Sequence, residues 1–162
     1  MTASPSVNPL QLGSSGYQIS RSVRLRSSAA ASFTRTFGTP TNNLKWTWSG
    51  WVKRGVLGSG SPVLFSGMSS SINYGSLFFT TDALSFSNRP SAGVNGQLVA
   101  TNVLRDPSAW YHIVAVFDSA NVTASNRMLL YVNGVQITSF TTGNYPSLNG
   151  ASIANSAISH YV

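Results

Sequence analysis

The chain has 162 residues, 42% apolar and 11% aromatic, enough for one domain with a buried core, yet only 8% are charged, against about a quarter in an ordinary globular domain. Ten Lys and Arg stand against three acids for a net charge of +7, so the positive balance reflects missing carboxylates more than added bases. With no Glu and no Cys, paired-carboxylate glycoside hydrolysis has little material to be built from, and disulfides, thiolate metal sites and cysteine nucleophiles are excluded.

Residues 1–20, MTASPSVNPLQLGSSGYQIS, are rich in Ser, Pro and Gly with scattered apolar residues and are expected to form an extended arm that orders only by docking. Met1–Gly13 lack the basic and apolar segments of a secretory signal. No stretch approaches the roughly 18 apolar residues of a membrane span. Synthesis in the cytoplasm without membrane insertion is therefore expected.

From Arg21 onward the apolar period is 2. In Ser22-Val23-Arg24-Leu25-Arg26, Val23 and Leu25 fall on one face and the arginines on the other, as in a half-buried strand. After a turn-rich stretch at 38–43, the segment 44–53 places Leu44, Trp46, Trp48 and Val52 on one face. Lys45, Thr47, Ser49, Trp51 and Lys53 fall on the other. Further strands are expected at 62–66, 76–80, 83–87 and 97–103, each bounded by turn formers. The run Trp110–Phe117 is apolar on both faces and reads as a central strand. Segments 127–132 and 135–138 flank Asn133-Gly134, the preferred pair for a type I′ hairpin turn because both residues accept positive φ at low cost. No segment of ten or more residues keeps a 3.6 period. The chain is predicted to be all-β, a sandwich of two antiparallel sheets spanning 21–162 behind the N-terminal arm.

The segments Ser22–Ser27, Trp46–Arg54, Trp110–Val114 and Leu130–Gly134, in this order and spacing, resemble the laminin G-like, concanavalin A-like lectin/glucanase jelly roll. With Arg105–Trp110 and Ala124–Arg127 the likeness extends to laminin G-like domains of bacteriophage structural proteins, over roughly residues 21–150. The resemblance implies the sandwich fold and a virion component assembled with other virion proteins as a homo-oligomer, a trimer among the options. Its location is expected on a tail fibre or appendage, with capsid decoration and host-glycan binding as alternatives. Two departures stand out. The Glu-rich catalytic strand of the superfamily's hydrolases has no counterpart here, and three separated Asp residues do not form the clustered ligands of a calcium site. No catalytic residue, cofactor or metal is therefore implied. Relatives also continue with a closing strand where this sequence reads Ser159-His160-Tyr161-Val162, so either the chain continues further or a partner completes one sheet edge.

Among the candidate residues, Asp82, Asp106 and Asp118 read as turn or strand-end residues. His112 alternates with Trp110, Val114 and Val116 and reads as a hydrogen-bonded strand residue; His160 has no partner nameable from sequence. Trp46, Trp48 and Trp110 are assigned to the core. Trp51, on the polar face of its strand, is the candidate platform for a glycan or a partner. The net charge lies wholly in the first 81 residues, where Arg21, Arg24, Arg26, Arg35, Lys53 and Arg54 are candidates for docking on an acidic protein surface. The competing assignment is solvated cations on outward strand faces. A nucleic-acid partner is not expected, since the ten basic residues form no dense stripe.

Overall fold

The computed structural model describes residues 32–90 and 96–162. Eleven strands run in chain order as β1 (Thr34–Thr36), β2 (Lys45–Lys53), β3 (Val63–Ser70), β4 (Asn73–Thr80), β5 (Ala83–Arg89), β6 (Gly96–Val103), β7 (Trp110–Asp118), β8 (Met128–Val132), β9 (Val135–Gln136), β10 (Phe140–Asn144) and β11 (Ser159–Tyr161). They form a seven-stranded sheet, ordered β1-β11-β3-β4-β5-β6-β10, and a four-stranded sheet, β2-β7-β8-β9. Every pairing is antiparallel. The expected two-sheet sandwich is thus the observed fold, and β7 is central in its sheet. The arm and the strand expected at 22–26 lie outside the described residues.

Period-2 alternation builds the core directly. Leu77, Phe79, Leu84, Phe86, Leu98 and Ala100 of the larger sheet meet Tyr111, Ile113, Ala115, Phe117, Met128 and Leu130 of the smaller one in a single buried cluster. Trp46 reaches in from β2 between the Phe86 ring at 5.4 Å and the Phe117 ring at 6.2 Å. Its indole N–H donates to Ser152 Oγ at 2.6 Å, which satisfies the one polar atom that burial would leave stranded.

The segment between β10 and β11 fills one end of the sandwich. Buried Asn88 holds it with both ends of its carboxamide, donating to Ala151 O at 3.1 Å and accepting from Ile153 N at 2.9 Å. Ala154 then presses on Gly75, where a Cβ would meet Ala154 N at 2.5 Å. The same segment leads into β11, which pairs β1 on one side and β3 on the other, so Ser159–Tyr161 is itself a strand of the larger sheet. His160, on β11, is buried, with ring nitrogens 2.8 Å from Ile158 O and from Ala154 O. Its ring lies 4.1 Å from that of Phe37. These are the partners that sequence inspection could not name.

Candidate functional site

Sheet register turns the alternation of β2 and β7 into a defined outer face on the smaller sheet. Directly opposed residues of an antiparallel pair project to the same side. The pairs Lys53↔Trp110, Trp51↔His112, Ser49↔Val114, Thr47↔Val116 and Lys45↔Asp118 therefore line up away from the core. Val114 and Val116 are flanked in turn by Tyr131 and Leu129 of β8. Trp51 is 67% exposed and Trp110 is 58% exposed. They sit diagonally across the two strands, roughly 7–8 Å apart at Cα, and present two large aromatic side chains on one flat face.

His112 organises this end of the face. Its Nε2 lies 2.9 Å from Ser49 Oγ, and its ring lies 5.1 Å from that of Trp51. The backbone beneath it is fixed from the turn after β8, where Asn133 Oδ1 accepts the His112 N–H and Asn133 N donates to His112 O, both at 2.8 Å. A hydroxyl beside an imidazole is the beginning of a nucleophilic dyad. Among the described residues, however, no carboxylate lies within ion-pair reach of this ring to orient it as a base. What the arrangement does offer is an aromatic surface edged by hydroxyl and imidazole hydrogen-bonding groups, the chemistry of carbohydrate stacking.

The position of Trp110 corrects the expectation that it packs in the core. The inward residues of β7 are Tyr111, Ile113, Ala115 and Phe117, and Trp110 shares the opposite parity with His112. Half-buried Val114 and Val116 make β7 apolar on both faces and hide that parity from composition. The companion expectations for Trp46 and Trp48, both packed against the core, and for exposed Trp51 agree with the structure.

The three acids are committed elsewhere. Asp82 is 2% exposed, with Oδ1 accepting from Arg54 Nη2 at 3.1 Å and Gly58 N at 2.9 Å and Oδ2 accepting from Arg105 Nε at 2.7 Å. The Gly58 N–H, then Arg105, then Arg54 hold its carboxyl below the usual range, outweighing the opposing effect of burial. Asp106 accepts from Ser108 Oγ at 2.6 Å and Ser108 N at 2.8 Å, and these bonds, with the charge of Lys53, hold it low as well. Asp118 pairs with Lys45 at 3.1 Å. Asp106 precedes β7 and Asp118 is its last residue, so the length of a strand rising roughly 26 Å separates them, far beyond the roughly 5–10 Å between catalytic carboxylates of glycosidases. Among the described residues, no group of three or more His, Asp or Glu side chains is placed to hold a metal ion, and no helix is long and apolar enough to cross a membrane.

The candidate docking cations are not gathered into one patch. Arg21, Arg24 and Arg26 lie outside the described residues. Arg35 is exposed on β1 of the larger sheet, whereas Lys53 is exposed at the end of β2 on the smaller one. Arg54 is a correction: it is 4% exposed, and its guanidinium donates to Leu104 O, Val56 O and Thr81 O and lies 4.0 Å above the Phe79 ring. A cation sequestered in this way offers nothing to a partner. Continuing the alternation of β2 by one residue puts Arg54 on the inward parity of Trp46, Trp48 and Val52, a signal that its charge outweighed.

Comparison with curated proteins and with solved structures finds no match. A family model matches residues 25–158, spanning all four strands of the smaller sheet and most of the sandwich, and the chain therefore belongs to the laminin G-like family of the concanavalin A-like lectin/glucanases superfamily.

Proposed function

We propose that this protein is a non-enzymatic adhesion module of a bacteriophage particle, carried on a tail fibre or similar appendage, anchored through its N-terminal residues and presenting Trp51 and Trp110 to carbohydrate on the host surface. One observation carries the adhesive part of this reading: two tryptophans stand exposed on a diagonal of one sheet face, with His112 opposite Trp51 and bonded to Ser49. Exposed large aromatics in a cluster mark interaction surfaces. The family supports a carbohydrate-binding or adhesion role, and the engagement of all three carboxylates in structural contacts favours binding over hydrolysis.

The particle role rests on the likeness to phage structural domains and on a surface of hydroxyl and amide groups, which suits subunit packing in a homo-oligomer by neutral hydrogen bonds. Imaging of particles carrying a labelled copy tests the location. Label on a tail appendage is expected, whereas label distributed over the head shell would make the protein a capsid decoration component instead. A glycan array probed with wild type and Trp51→Ala tests adhesion, and unchanged binding would remove the face from this role.

A further inference from the structure

The arrangement of charge around the two tryptophans points to a more specific ligand, and the inference rests on the carbohydrate reading above. Each exposed tryptophan is opposed across the strands by a nitrogen base, Lys53 facing Trp110 and His112 facing Trp51. A sugar ring stacked on either indole therefore has a basic side chain at its edge. Of the three carboxylates only Asp106, in the loop before Trp110, lies near this end of the face: Asp118 is at the far end, joined to Lys45, and Asp82 is buried. We propose that the face binds anionic polysaccharide, with Trp51 and Trp110 stacking on sugar rings and Lys53 engaging the carboxylate or sulfate groups they carry.

Asp106 sharpens the assignment. It lies in the loop before Trp110, near enough to Lys53 for that charge to act on its carboxylate, without being close enough for an ion pair with it. Its negative charge opposes an incoming anion while its geometric role, accepting hydrogen bonds from Ser108, is one that an amide oxygen can also fill. Charge removal at Lys53 and charge removal at Asp106 should therefore act in opposite directions, which a purely apolar platform would not show.

The experiment titrates the full chain with dextran, dextran sulfate and polygalacturonate, three polymers that separate neutral sugar, sulfate ester and carboxylate. Wild type is expected to bind at least one of the anionic polymers about tenfold or more tightly than dextran. Trp51→Ala and Trp110→Ala should each weaken that binding by about tenfold or more, as truncation of a central aromatic anchor does. Lys53→Ala should weaken it about threefold, in keeping with a solvent-screened charge, and Asp106→Asn should tighten it by a similar factor. Arg35→Gln, which removes one positive charge on the other sheet, should have no such effect. Equal binding of dextran with loss in the tryptophan variants would keep the carbohydrate face and overturn its anionic preference. Anion binding that ignores Trp51 and Trp110 but falls with Arg35→Gln would reduce the effect to net charge and overturn both readings, as would binding of none of the polymers. Sedimentation of the same variants covers the remaining occupant: loss of self-association in place of polysaccharide binding would assign the face to a second copy.

Discussion

Arg54 Nη2 lies 3.1 Å from Asp82 Oδ1 with both side chains all but closed to solvent, at 3% and 2% exposure. The pair ties the end of β2 to the turn between β4 and β5. Because the Arg54 guanidinium also serves backbone carbonyls and covers the Phe79 ring, removing it strands a buried carboxylate and opens the core at once. Arg54→Ala is expected to cost about 3–5 kcal/mol, the range for breaking a buried ion pair. Arg105 bonds the other Asp82 oxygen but is 63% exposed, so Arg105→Ala should cost no more than about 1 kcal/mol after solvent screening. Urea unfolding of the two variants checks the contrast, and equal losses would mean that burial is not what makes Arg54 important.

The same carboxylate sets the acid response. Asp82 and Asp106 both titrate below their ordinary value in the folded chain, so the folded state binds fewer protons than the unfolded state near the carboxylate range. Their contribution is therefore present above roughly pH 4 and is lost as the pH falls through the folded values. The urea midpoint should hold from pH 7 to about 5 and decline below about 4. Asp82→Asn should lower it at neutral pH and flatten the acid decline, and an unchanged acid slope would detach Asp82 from the effect.

The hairpin at Asn133-Gly134 was legible as a residue pair, and the backbone has the required values, with φ of 51° at Asn133 and 80° at Gly134. A side chain at Gly134 must adopt the left-handed region, so Gly134→Ala is expected to destabilise by about 1–2 kcal/mol. The cost should spread to the outer face, because Asn133 is hydrogen-bonded to the backbone of His112. Amide exchange at His112 should accelerate with the substitution; protection identical to wild type would show that the turn and the face are independent.

What was readable in this chain was periodicity with a single meaning. β2 alternates Trp and Val against Lys, Thr and Ser, so Trp46, Trp48 and Trp51 could be assigned to their faces before any register was known. β7 is apolar at every position from 113 to 117, and only its pairing with β2 shows which parity is buried. β1, β10 and β11 have three to five residues each, too short for a period-2 signal to rise above the surrounding Ser, Thr and Asn. Arg54 and Asp82 are 28 residues apart, and their meeting depends on how the β4–β5 turn folds back over the end of β2. Likewise, Trp110 beside Trp51 is a product of register, which is why the sequence offered one platform residue and the structure offers two.

The plug between β10 and β11 gives a packing test. At Gly75 an added methyl would meet Ala154 at both its backbone N and its Cβ, the latter at 2.8 Å, and neither can yield without moving the segment that Asn88 clamps. Gly75→Ala is expected to cost about 1–3 kcal/mol, as overpacking does. Pairing it with Ala154→Gly removes only the Cβ contact, so rescue should be partial. Full rescue would place the conflict in the side chain alone, and no loss in the single variant would show that the plug moves freely.

The four tryptophans divide into two physical classes, and fluorescence can read the division directly. Trp46 and Trp48 pack against the core, whereas Trp51 and Trp110 face solvent. Iodide should therefore quench part of the native emission, and Trp51→Ala with Trp110→Ala together should remove nearly all of the quenchable part. Because more than half of each of these two side chains is open to solvent, each single substitution should change stability by no more than about 1 kcal/mol. Trp46→Ala empties a half-buried site bounded by Phe86 and Phe117 and abandons the bond to Ser152, and should cost about 3 kcal/mol. Iodide is an anion, so Lys53 beside Trp110 should raise its local concentration and make iodide a better quencher of the exposed class than neutral acrylamide, relative to free indole. Lys53→Glu should reverse that preference. If the iodide-to-acrylamide ratio is the same in both proteins, the field of Lys53 does not reach the tryptophans.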